Sequence, residues 1–123
     1  MSGKRLLFVE SSGYCSNGLC NSLKIRGGYE ITVKRIEKHY QESSSEYDVV
    51  LFNGLNVLGT NRGETVDSGL EIIRRLRKKG LPVLVLSIES EDVNDKARNL
   101  GAKVLGRAQP TGEILEELKK LAG

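Results

Sequence analysis

Glu10, Ser11, Ser12, Asn53, Ser87 and Arg107 stand at or just beyond the ends of short apolar runs, and they define the chemistry open to this chain. Glu10 is the one carboxylate in that group. Ser11-Ser12-Gly13-Tyr14 could cradle a phosphate at a helix N-terminus, but no G-x-G-x-x-G is present and a capping role suits the serines better. Gly54-Leu55-Asn56-Val57-Leu58-Gly59-Thr60 echoes a phosphate loop without its lysine and reads as a glycine-bearing loop. The 2 cysteines and 1 histidine are too few for a Cys/His zinc site. Cys15 and Cys20 are not a C-x-x-C pair, and on one continuous helix they would leave a common face, so they are expected as reduced thiols. His39 has no recognisable nucleophile partner and reads as solvated. No metal and no cofactor is expected.

These residues must be positioned by a single domain, residues 1–123. Charged residues make up 28% and hydrophobic ones 38%, which excludes disordered and collagenous classes. The net charge of +3 permits a basic patch without demanding nucleic acid. Leu6-Leu7-Phe8-Val9 is too short for a signal peptide or a membrane span, so the cytoplasm is the expected compartment.

Five apolar stretches punctuate the chain: Leu6–Val9, Ile31–Val33, Val49–Phe52, Pro82–Leu86 and the weaker Val104-Leu105. The first, third and fourth are continuous, as in parallel strands buried on both faces. Helices are predicted between and after them. One covers residues 14–26. A second covers 67–79, started by Asp67 or Ser68, with Leu70, Ile73 and Leu76 inward and Gly80 as terminator. A third covers 91–100 and ends at Gly101, and a fourth covers 112–121, with Ile114, Leu115, Leu118 and Leu121 on one face. Residues 37–46 are ambiguous, at most one or two turns. Alternating strands and helices with right-handed crossovers give an α/β doubly wound parallel sheet, flavodoxin-like, with helices on both faces.

Several segments then resemble a known family across the chain: Lys4-Arg5-Leu6-Leu7-Phe8-Val9-Glu10, Tyr47-Asp48-Val49-Val50-Leu51-Phe52-Asn53, Ser68–Arg77, Leu81-Pro82-Val83-Leu84-Val85-Leu86-Ser87 and Ala97-Arg98-Asn99-Leu100-Gly101-Ala102. In that order they are similar to the receiver domain of two-component response regulators. The resemblance implies five strands in the order 2-1-3-4-5. It also implies a phosphorylation pocket with an acidic pair after strand 1, an aspartate ending strand 3, a Thr or Ser after strand 4 and a Lys-Pro after strand 5. Carried over position by position, the acidic pair becomes Glu10-Ser11 and the phosphoacceptor becomes Asn53. Ser87 keeps the hydroxyl. The lysine falls on Ala108 or Gln109, with Arg107 nearby but different in donor geometry. Without that ammonium, developing phosphoryl charge loses its fixed cation.

The resemblance therefore implies a degenerate receiver, a signalling module rather than an enzyme, that works through protein contacts without phosphorylation. Its interaction face would join the helix at 91–100, the strand at 104–105 and the helix at 112–121. Asn94, Arg98, Lys103, Arg107, Glu116 and Lys120 are the candidate residues. Partners would be other signalling proteins, with homodimerisation possible and neither nucleic acid nor membrane contacted directly. Two alternatives stay open. One is an atypical receiver phosphorylated on Ser87, Glu10 or Asp67. The other is a small-ligand or nucleotide-binding flavodoxin-like module. The connection from Gly54 to Val66 is longer than receivers carry and would cover the vestigial pocket, or be a tolerated insertion. Arg74, Arg75, Arg77, Lys78 and Lys79 close the second helix, where cations complement its dipole.

Overall fold

The computed structural model describes residues 4–10, 17–35, 47–53, 62–87, 91–106 and 110–122, with the backbone alone at Asn17, Arg35, 62–67 and Ser87. The strands are β1 (Arg5–Glu10), β2 (Glu30–Arg35), β3 (Val49–Asn53), β4 (Val83–Ser87) and β5 (Lys103–Gly106). The helices are α1 (Asn17–Ile25), α2 (Arg62–Lys78), α3 (Glu91–Asn99) and α4 (Thr111–Ala122). The five strands form one parallel sheet in the order β2-β1-β3-β4-β5.

Side chains alternate along each strand, so the continuous apolar runs feed two cores at once. Leu6, Phe8, Val49, Leu51, Leu84 and Leu86 point to one face, where Leu23 of α1 and Ile114 and Leu118 of α4 cover them. Leu7, Val9, Val50, Phe52, Val83 and Val85 point to the other face, beneath Ile72, Ile73 and Leu76 of α2 and Val93 and Ala97 of α3. Phe8 and Phe52 are fully buried. At about 25 cal/mol per Å² of apolar surface, each such side chain contributes roughly 2–3 kcal/mol.

Two helices end as their glycines predict. Gly80 (φ 84°) and Gly101 (φ 94°) take the left-handed conformation that L side chains resist. After α2, the Gly80 N–H donates to the Arg77 carbonyl at 2.9 Å and the Leu81 N–H to the Leu76 carbonyl at 3.1 Å. The same pair of bonds closes α3 through Gly101 and Ala102. Both are Schellman caps.

The start of α2 differs from expectation. It begins at Arg62, so Asp67 and Ser68 lie inside the helix rather than capping it. Gly63 masked the start, because a glycine argues against helix on propensity alone. The connection after β3 accordingly narrows to residues 54–61, which lie outside the described residues, as do 36–46 with His39. Cys20 is disulfide-bonded, against the expectation of reduced thiols. The argument from helical spacing assumed one helix through both cysteines, whereas α1 starts at Asn17, after Cys15. Cys15 itself is outside the described residues.

Candidate functional site

Strand pairing decides which polar residues meet at the carboxyl end of the sheet. β1 lies between β2 and β3, and its last residue, Glu10, is in register with Arg35 of β2 on one side and Asn53 of β3 on the other. Ser87 closes β4, two positions beyond Val85, which pairs with Phe52. The five strand ends are thus Glu10, Arg35, Asn53, Ser87 and Gly106: one carboxylate, one guanidinium residue, one amide and one hydroxyl. Ligands of open parallel sheets bind beyond these ends.

Asn53 is half-buried, and its Oδ1 is fully buried with no hydrogen-bond partner among the described residues. A buried carbonyl oxygen left without a donor costs about 1–3 kcal/mol. That oxygen is neutral. Mg²⁺ coordination relies on carboxylates, and here Glu10 is the only carboxylate among the described strand ends, beside a position occupied by Arg35.

Of the sequence-predicted pocket, the structure brings Glu10 and Asn53 side by side and places Ser87 at the neighbouring strand end. Ser11 and Arg107 lie outside the described residues. Arg35 carries no signal in the sequence, because the apolar run of β2 ends at Val33. Its extension through Lys34-Arg35 carries no apolar signal.

The predicted interaction face needs one correction. Asn94 is 3% exposed and cannot be a contact residue on that face. Val93, Asn94 and Ala97 share the side of α3 turned to the core, so the helical phase carries this amide inward. Arg98 is exposed and tied to Asp95 at 2.9 Å and Glu91 at 3.8 Å. Lys103 approaches Glu117 of α4 at 4.0 Å across the sheet edge. Glu116 and Lys120 are exposed. Glu117 was missed. It lies three residues after inward-facing Ile114 and so on the flank of α4, a phase that could have been read from the sequence.

No protein-family model matches the chain, and no curated protein does. Solved structures do match. A CheY-like response regulator receiver domain protein from Methanospirillum hungatei is 19% identical with a TM-score of 0.69, covering 98% of this chain and 94% of that one. The chain has the receiver fold. The non-phosphorylated HemR receiver domain from Leptospira biflexa shares it at 24% identity and a TM-score of 0.66, covering 98% and 94% of the two chains. So does the receiver domain of a Pseudomonas aeruginosa sensor histidine kinase, whose structure has a magnesium ion coordinated in the active site cleft. It is 16% identical with a TM-score of 0.62, covering 98% of each chain. In the receiver fold, β1 and β3 meet at the carboxyl end of the sheet, and in this chain those two ends carry Glu10 and Asn53.

Proposed function

We propose that this chain is a phosphorylation-independent receiver module that signals through protein contacts and is not an enzyme. The observation that carries the reading is Asn53: an amide ends β3, beside Glu10, the one carboxylate among the described strand ends. An amide neither forms an aspartyl phosphate nor supplies the charge a magnesium ion requires. The magnesium-bearing kinase receiver with the same fold is the natural contrast.

A surface that is not switched must bind in the state it already has. The edge of the sheet at β5, flanked by α3 and α4, is our candidate contact surface, with Arg98, Lys103, Glu116, Lys120 and Arg107 as its polar residues. A short edge strand dressed with charges avoids strand-to-strand pairing and favours side-chain-mediated docking. Its partners are other signalling proteins or a second copy of the chain, with no direct nucleic-acid contact.

The test restores the acids. Asn53→Asp combined with Ser11→Asp should acquire Mg²⁺ binding, visible as shifts of the Glu10 and residue-53 amides, while the wild-type chain shows none. Mg²⁺ binding by the freshly purified wild-type chain would overturn the reading.

A further inference from the structure

β2 and β5 are the two edges of the sheet, and they differ. β5 has 4 residues, whereas β2 has 6, with the β-branched run Ile31-Thr32-Val33 at its centre. Among the described residues β2 pairs with β1 alone, so one side of its backbone has no strand beside it. One bond fixes which groups lie on that side. The Glu30 N–H donates to the Lys4 carbonyl at 2.9 Å, toward β1. Within a strand the N–H and C=O of one residue point the same way, and those of the next residue point the opposite way. Glu30, Thr32 and Lys34 therefore bond toward β1, and Ile31 and Val33 present their backbone groups at the open edge. The side chains alternate as well. Ile31 and Val33 are half-buried against the core covered by α1 and α4. Exposed Glu30 and half-buried Thr32 and Lys34 share the other face.

We propose that β2 pairs antiparallel with β2 of a second copy of this chain, across a two-fold axis at Thr32, joining the two sheets into one. An antiparallel register must set outward-bonding residues opposite outward-bonding residues, which excludes an axis between two residues. With the axis at Thr32, Ile31 of one copy meets Val33 of the other and exchanges both backbone bonds with it, twice by symmetry. Glu30 meets Lys34 at positions without backbone bonds between them, where side chains come closest. Thr32 meets its own counterpart. One face of the joined sheet then carries two Glu30–Lys34 pairs flanking the threonines, and the other carries two Ile31–Val33 pairs that extend the apolar core. Opposite-charge, threonine and β-branched pairs are the stabilising kinds. Moving the axis to Val33 sets Lys34 opposite Thr32, and moving it to Ile31 sets Glu30 opposite Thr32, so charge complementarity selects Thr32. Such an isologous contact closes at two copies. It leaves β5, the far edge of each sheet, open to other partners. It goes beyond the signalling reading and does not rest on Asn53.

The experiment is sedimentation of the full chain over a concentration series reaching millimolar, for wild type, Glu30→Lys, Lys34→Glu and an equimolar mixture of the two variants. Wild type is expected to show a monomer–dimer equilibrium. Each variant alone places like charges at both cross-strand positions and should dimerise about tenfold more weakly. The mixture should recover wild-type association, because a chain with bases at both positions then faces a chain with acids at both. Amide hydrogen exchange reads the backbone of wild type: the Ile31 and Val33 N–H groups should gain protection as concentration rises, while Thr32, bonded to β1, is protected throughout. That pattern decides the pairing even where Lys34→Glu folds poorly. A wild-type chain that stays monomeric across the series overturns the proposal. So do equal association in wild type and both variants, a mixture that associates no better than its components, and a dimer whose Ile31 and Val33 amides stay unprotected. Association lost in Lys103→Glu with Lys120→Glu but kept in the β2 variants overturns it in favour of β5. Mg²⁺ binding by fresh chain bears on the proposed function alone.

Discussion

Glu10 and Asn53 are register partners, each the last residue of its strand, so one carboxylate faces one amide at the mouth of the sheet. A second carboxylate at residue 53 would create a like-charge pair in a half-buried setting. Asn53→Asp is therefore expected to lose about 1 kcal/mol of stability in the presence of a chelator, and to regain it when Mg²⁺ is added. Thermal unfolding with and without Mg²⁺ checks this, and equal midpoints in the two conditions would contradict it.

Gly101 distinguishes packing from backbone conformation. Its φ of 94° already disfavours a side chain, and a β carbon there would come within 2.9 Å of Arg77 Nε. Gly80 has a comparable φ of 84° and open space around it. Gly80→Ala should cost about 1 kcal/mol, from conformation alone. Gly101→Ala should cost more, since the Arg77 guanidinium, held by its bond to the Leu81 carbonyl at 3.1 Å, would have to move. Denaturant unfolding of both variants ranks them, and a larger loss at Gly80 would refute the role given to Arg77.

Tyr29 is expected to make stability fall in alkaline solution. Burial, and secondarily the nearby Asp48 carboxylate, raise its phenol above the ordinary value of 10.0. The folded state thus holds the proton longer than the unfolded state does. The stabilisation is complete below pH 10 and is lost as pH rises from there through the folded value. Tyr29→Phe should flatten the stability profile in that window, while wild type and variant keep parallel profiles at neutral pH. Parallel profiles above pH 10 as well would show that Tyr29 does not cause the fall.

Much of this molecule was legible in its residues, for identifiable reasons. Leu6–Val9, Val49–Phe52 and Val83–Leu86 are apolar on both faces because helices cover both faces, and unbroken runs announce that directly. Gly80 and Gly101 marked helix ends because the left-handed turn requires them. The start of α2 was hidden, since its first turn, Arg62-Gly63-Glu64, carries no apolar residue and includes a glycine that argues against helix. Asn94 was placed on the surface by its polarity, and only the phase of α3 shows that it turns inward. At the mouth of the sheet, Glu10 and Asn53 could be named one by one from the ends of their strands. The Arg35 neighbour and the orphaned oxygen of Asn53 depend on register and burial, which no single stretch of sequence encodes.

The β5 edge offers a test of contact without switching. Lys103→Glu with Lys120→Glu should leave folding stability within about 1 kcal/mol, because exposed charges and long ion pairs contribute little. The same double variant should weaken self-association, measured by sedimentation over a concentration series. Unchanged association would remove this surface as the contact.

The most direct measurement is exposure of freshly purified chain to Mg²⁺ and a small acyl-phosphate donor, followed by intact mass and amide chemical shifts at Glu10 and Asn53. The expected result is an unmodified mass and unmoved shifts. A stoichiometric phosphoryl adduct that forms only with Mg²⁺ would contradict the phosphorylation-independent reading.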